Sequence, residues 1–169
     1  MDAFERALSI MERMPGILHN VYATIPASEM AVRPTPDEWS PQEVLAHLLH
    51  IETGVLGPRI SGMARGEIET IGPAGDAPPI GDPRSALAEW SAARQLNLAM
   101  LRSLTPEQLA RTAQHRLGPL SVREHVVEWS YHDLDHLRQV LASVQAALHP
   151  EIGAFRNLYP QPFQGRTAG

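Results

Sequence analysis

Two stretches of this sequence, Ser40-Pro41-Gln42-Glu43 and Ser121-Val122-Arg123-Glu124, each carry a complete signal for the start of a helix. In both, a serine can cap the first free N–H groups while a glutamate three residues later reaches back to the cap; Pro41 also suits a first helical position. Each opens a stripe of apolar residues at helical spacing. After the first come Val44, Leu45, Leu48, Leu49, Ile51, Val55, Leu56, Ile60 and Met63, which predict a helix over about 41–65 with a bend at Gly54 or Gly57-Pro58. After the second, the stripe runs to about residue 147. Asp82-Pro83 predicts a third helix over 83–103, and the spacing of Phe4, Leu8, Met11, Met14, Leu18 and Tyr22 predicts one over about 2–24. Pro15 should kink or divide that helix.

The remaining segments are short or broken. Thr105-Pro106-Glu107-Gln108 starts a helical turn, Pro150 precedes a final turn over 150–158, and 159–169 reads as an extended C-terminal tail. Residues 66–83 contain eight glycines and prolines, the composition of a long functional loop or a disordered excursion. No strand run or hairpin signal appears. Four long helices within 169 residues predict an all-α four-helix bundle, with residues 1–158 as one domain.

Composition narrows the chemistry. There is no cysteine, and all 14 basic residues are arginine, whereas histidine occurs eight times. Disulfides, thiolate metal sites, a cysteine nucleophile, a lysine Schiff base and a P-loop lysine are all excluded. A net charge of −5 without a basic cluster argues against a nucleic-acid partner. The N-terminus mixes acids and arginines with apolar residues, unlike a signal peptide, and no run approaches 18 apolar residues. A cytoplasmic protein without a membrane partner is the expectation.

The histidines carry the functional signal. His132 and His136 lie four apart, so they project from one face of the last helix, at the margin of its apolar arc. His47 holds a similar marginal position on the second helix. Two imidazoles from one helix and a third from a facing helix can make three ligands and leave a position open for water or substrate. Spacing alone also suits two half-exposed histidines on a bundle surface. His125, seven residues before His132, suits a fourth ligand, a partner to a ligand or an ordinary polar residue; His19, His115 and His149 show no pattern.

The segments Trp39-Ser40, Glu43, His47-Leu48 and then His132, His136 and Gln139 resemble the paired motifs of the DinB/YfiT-like family, in order and in spacing along essentially the whole chain. The resemblance implies an up-down-down-up four-helix bundle holding a divalent metal through His47, His132 and His136. It also implies an enzyme of thiol-dependent S-transferase type, using mycothiol or bacillithiol, and a homodimer. Three imidazoles leave metal identity open, with zinc or nickel the expected ions. With no cysteine in the chain, a thiol nucleophile would come from such a cofactor.

Hydrolysis is the alternative chemistry, with Glu52 or Glu128 as catalytic base. A non-catalytic, stress-associated binding or dimerisation bundle with a structural metal is the alternative outside enzymes. Glu52 falls inside an apolar stripe, where an unpaired charge is costly. It suits either a base near the metal or a salt bridge to an arginine such as Arg59. Asp133 also faces an apolar side and suits structural pairing or a bond to a ligand histidine. Glu128, one turn before His132, suits a base, a further ligand or a solvated partner. Trp39 suits a hydrophobic staple at its helix start, and Trp90, Trp129 and Tyr131 suit core or pocket walls. The arginines are candidates to hold an anionic small-molecule substrate or the carboxylate of a thiol cofactor.

Overall fold

A computed structural model describes residues 1–159. The capping signals do what their chemistry requires. Helix α1 (Ala3–Tyr22) starts at Asp2, whose carboxylate accepts from Phe4 N at 2.8 Å and Glu5 N at 3.0 Å. Helix α2 (Pro41–His50) starts at Ser40: its hydroxyl accepts from Glu43 N at 3.3 Å, and Glu43 Oε2 accepts from Ser40 N at 2.8 Å. A six-residue π-turn (Ile51–Leu56) then leads into α3 (Gly57–Arg65). Helix α4 (Pro83–Arg102) is capped by Asp82, short α5 (Pro106–Ala110) by Thr105, and α6 (Val122–Leu148) by the Ser121–Glu124 pair. A 3₁₀ segment (His149–Asn157) closes the described chain. The extended tail expected over 159–169 lies outside the described residues, apart from Tyr159.

Two details differ from the sequence expectations. Pro15 does not divide α1, which runs as a single helix through it. A small hairpin appears where no strand signal exists: β1 (Thr112–His115) pairs antiparallel with β2 (Gly118–Ser121), with Thr112 opposite Ser121 and His115 opposite Gly118. Its strands have four residues each, include Pro119 and bury only Ala113, so no alternating pattern could reveal them. Tertiary contact stabilises the hairpin instead. The chain at 69–71 runs beside β1, with Gln114 N donating to Glu69 O and Ile71 N to Gln114 O, both at 2.8 Å.

The four long units form an up-down-down-up bundle. Both α1 and α2 pack along α4 and α6, so α1 and α2 stand at diagonal corners and need the crossing connector 23–40. Contacts give the directions. Trp39 meets His136 while His47 meets His132, so α2 and α6 are antiparallel. Glu52 meets Arg94 while Gly57 approaches Asn97, so the second helical unit and α4 are parallel.

Apolar burial is divided into two clusters. One gathers Met11, Ile60, Met63, Leu98, Leu101 and Trp129, and the other Met14, Leu18, Leu45, Leu48, Leu87 and Trp90. Arg94 joins them, its guanidinium carbon 4.7 Å from the Trp90 ring centre and 5.3 Å from that of Trp129. No helix among the described residues is long and apolar enough to cross a membrane.

Candidate metal centre and its cavity

The antiparallel packing of α2 on α6 turns three marginal histidines towards one another. His132 Nε2 lies 3.0 Å from His47 Nε2 and 3.0 Å from His136 Nε2. One ring nitrogen from each histidine lies within 4.8 Å of the other two. Tetrahedral zinc with bonds of about 2.0–2.1 Å sets its nitrogens roughly 3.3 Å apart, so the cluster has the dimensions of a three-imidazole face. His136 Nδ1–H donates to Gln139 Oε1 at 2.7 Å, which leaves the Nε2 lone pair pointing into the cluster.

Protonation cannot satisfy this arrangement. Burial, then the charges of His136 and His50, lowers the His47 pKa to about 4. Burial followed by His47 and Arg94 takes His132 to about 3, and burial followed by His132 takes His136 to about 4. Three neutral rings thus face one another, where one N–H can bridge only one pair of nitrogens. His132 Nδ1 is also buried without a partner, so the protein alone leaves this ring poorly satisfied. A cation among the three Nε2 atoms would relieve the contact, and the residues fit such an ion. Among the described residues no carboxylate or further histidine joins the trio as a fourth metal ligand.

The histidines form one wall of a cavity of about 560 Å³. Trp39 forms part of the same wall: its ring lies nearly parallel to His136, 5.8 Å between centres, and 4.9 Å from His47. The expected staple residue therefore also fixes the two imidazoles. Apolar lining comes from Ile51, Val55 and Leu56, and charged groups from Arg59, Arg116, Glu128 and Asp135. Segment 66–83 supplies Ala74 to the cavity wall. It is held there by His50, whose Nε2 contacts Ala74 O at 3.0 Å, and by Arg59, whose Nη2 donates to Gly72 O at 2.9 Å.

Two of the residues weighed from sequence are drawn away from the cavity. Glu52 and Asp133 are fully buried around Arg94, which was not singled out in the sequence. Arg94 Nη2 donates to Glu52 Oε2 at 2.6 Å, and Nη1 donates to Asp133 Oδ2 at 2.5 Å; Asn97 Nδ2 adds a 2.8 Å bond to Glu52 Oε1. The partner of Glu52 is thus Arg94 rather than Arg59. The pattern held a clue: Ala86, Trp90, Arg94, Leu98 and Leu101 form one stripe, so an arginine on an apolar face matched two carboxylates on apolar faces. One guanidinium against two carboxylates leaves the cluster one negative charge in excess. Burial pushes the Asp133 carboxyl up to about 6 against the pull of Arg94, and Glu52 adds to the rise.

Glu128 does line the cavity, one turn before His132. Its pKa is raised, first by the protein around it, with Arg59 opposing and Asp133 reinforcing the rise. His125 stands apart, with Nδ1 against Ser121 O at 2.9 Å.

The sequence matches the profile of a known family, the DinB superfamily, over residues 10–140. The chain belongs to the DinB superfamily. Among solved structures it is similar to YfiT from Bacillus subtilis, described as a probable metal-dependent hydrolase with an unusual four-helix bundle topology. That likeness has a TM-score of 0.74 at 16% identity and covers 85% of this chain and 87% of YfiT. At this identity the likeness establishes the fold. No curated protein matches the sequence.

Proposed function

We propose that this DinB-superfamily chain is a metal-dependent enzyme in which His47, His132 and His136 hold one divalent cation at the cavity wall, with zinc or nickel as the expected ion. The observation that carries this reading is the convergence of three neutral Nε2 atoms, 3.0 Å from neighbour to neighbour, on a cavity that adds no fourth protein ligand among the described residues. Three-ligand sites with an open position are the catalytic type, whereas structural zinc sites are closed by four protein ligands. A bound cation would supply Lewis acidity there, making a water or thiol acidic enough to act as a nucleophile near neutral pH.

The chain's own groups supply the rest. Gln139 and Trp39 orient the imidazoles, Ile51, Val55 and Leu56 give an apolar wall, and Glu128, which lines the same cavity, is the group to which we assign acceptance of a proton from an entering nucleophile. Thiol transfer is the first reaction we assign, with a low-molecular-weight thiol such as mycothiol or bacillithiol entering the cavity. The family resemblance supports it, and a chain with no cysteine of its own is compatible with it. Hydrolysis is the second, supported by Glu128 as a base beside the trio. In that scheme Glu52 acts only through Arg94 and the π-turn.

Zinc- or nickel-loaded protein assayed with mycothiol, bacillithiol and glutathione against monochlorobimane, and separately with 4-nitrophenyl acetate, separates the two. Thiol-dependent conjugation lost in His132→Ala supports transfer; ester cleavage lost in both His132→Ala and Glu128→Gln supports hydrolysis. Failure of the protein to take up one equivalent of either metal would end the enzyme reading.

A further inference from the structure

The π-turn at Ile51–Leu56 has a geometric consequence for the cavity. In an uninterrupted α-helix Arg59 would lie about 120° around the axis from His47, twelve residues at about 100° each. One extra residue taken up in a π-turn removes about 100° of that offset, bringing Arg59 to within about 20° of the histidine's face. The fold stabilises this irregularity. Asn97 Nδ2 donates to Glu52 O at 3.1 Å as well as to its carboxylate, and Gly57 allows close approach to that carbonyl, where a Cβ would sit 2.8 Å from it. A buried arginine, two buried carboxylates and an asparagine are thus arranged around a turn that delivers a cation to the cavity.

Arg59 is half-buried there with no carboxylate within 4.0 Å among the described residues. Its guanidinium is oriented by Gly72 O, and N–H groups remain for a ligand. Arg116, at the turn of the β1–β2 hairpin, lines the same cavity and has no ion-pair partner among the described residues. Against these two cations stands Glu128; Asp135 is occupied by Arg138 at 2.6 Å. Before any metal is counted, the lining carries one uncompensated positive charge beside an apolar wall of Ile51, Val55 and Leu56.

We propose that the substrate of this cavity is a small monoanionic organic acid, its carboxylate held by Arg59 with Arg116 and its apolar body against Ile51 and Val55. This rests on the enzymatic reading for the word substrate, but the binding site itself is made only of side chains outside the histidine trio. A planar carboxylate matches a guanidinium edge, and in the metal-free cavity a single negative charge balances the lining; a phosphate dianion would exceed that balance and lose more hydration against the apolar wall.

Calorimetric titration of phenylacetate, phenylacetamide and inorganic phosphate into both metal-free and zinc-loaded protein tests the assignment. Phenylacetate should bind both forms at least about tenfold more tightly than the neutral amide, since a hydrogen-bonded ion contact contributes that much or more, and should bind the metal-free form more tightly than phosphate does. Arg59→Gln should weaken phenylacetate about tenfold in both forms, Arg59→Lys should recover part of the loss, and Arg116→Gln should weaken it independently. Zinc uptake should stay unchanged in all three variants. No phenylacetate binding, binding equal in wild type and Arg59→Gln, phosphate as tight as phenylacetate in metal-free protein, or binding seen only with zinc present would each overturn the proposal. Failure of wild-type protein to take up either zinc or nickel would overturn the metal-dependent enzyme reading and not the anion site, because the metal-free titration still reads the arginines.

Discussion

Replacing Arg94 with leucine removes the one cation shared by two buried carboxylates. Its side chain and that of Glu52 are 0% exposed, and Asp133 is 1% exposed, so water cannot take over the lost contacts. Glu52 would retain the bond from Asn97, and Asp133 would lose both of its bonds to Arg94, at 2.5 and 3.1 Å. Breaking a buried ion pair by removing one partner costs about 3–5 kcal/mol, and one guanidinium serving two acids places the cost near the upper end. A domain of this size loses about 2–4 °C of melting temperature per kcal/mol, so the expected drop is roughly 10–20 °C.

The loss should also depend on pH. At pH 8 Asp133 must stay charged without a partner or take up a proton from a dilute source, whereas at pH 5 protonation relieves it at small cost. Arg94→Leu should therefore be furthest from wild type at pH 8. Urea unfolding followed by tryptophan fluorescence suits the test, since Trp90 and Trp129 flank the guanidinium. Adding Glu52→Gln and Asp133→Asn should recover much of the stability. A cost below about 1 kcal/mol at pH 8, or an equal cost at pH 5, would refute the reasoning.

Three further outcomes are expected. Gly57→Ala places a Cβ 2.7 Å from Asn97 Oδ1 and 2.8 Å from Glu52 O, so it should cost about 1–3 kcal/mol in chemical denaturation, and a neutral result would mean the π-turn tolerates displacement. One equivalent of zinc should raise the melting temperature of wild type but not of His47→Ala, His132→Ala or His136→Ala; Gln139→Leu should weaken zinc about 10–100-fold by freeing the His136 ring, and an unchanged affinity would deny Gln139 that role. In metal-free protein the three histidines have folded pKa values of about 4, 3 and 4, below their unfolded value of about 6.5. Their contribution to stability is complete above about pH 6.5 and is lost as pH falls towards 4. His132→Asn should flatten the pH dependence of the melting temperature across that window, and parallel profiles would refute the assignment.

Much of the architecture is local and so was legible along the chain. Ser40 with Glu43, Asp82 with Pro83 and Ser121 with Glu124 start their helices through contacts three residues apart, and the apolar stripes identify the faces that must meet. The His132–His136 pair is local in the same sense, because i,i+4 spacing sets a shared face before any tertiary contact forms. The marginal position of His47 made it a candidate, but joining it to that pair required the family resemblance, since nothing along the chain says which helix faces α6. The hairpin escaped notice because its pairing is stabilised by residues 69–71 more than 40 positions away, and not by an alternating apolar pattern of its own.

The sequence by itself determined a cysteine-free helical bundle with histidines at the edges of its apolar faces. Tertiary structure alone decided which charges would meet. Glu52, Arg94 and Asp133 come from three different helices, and none is explicable on its own, because an isolated charge on an apolar face only states that a partner must exist. Packing of α4 between the second helical unit and α1 supplied that partner. It thereby drew Glu52 and Asp133 away from the histidine cavity, while the π-turn beside them brought Arg59 towards it.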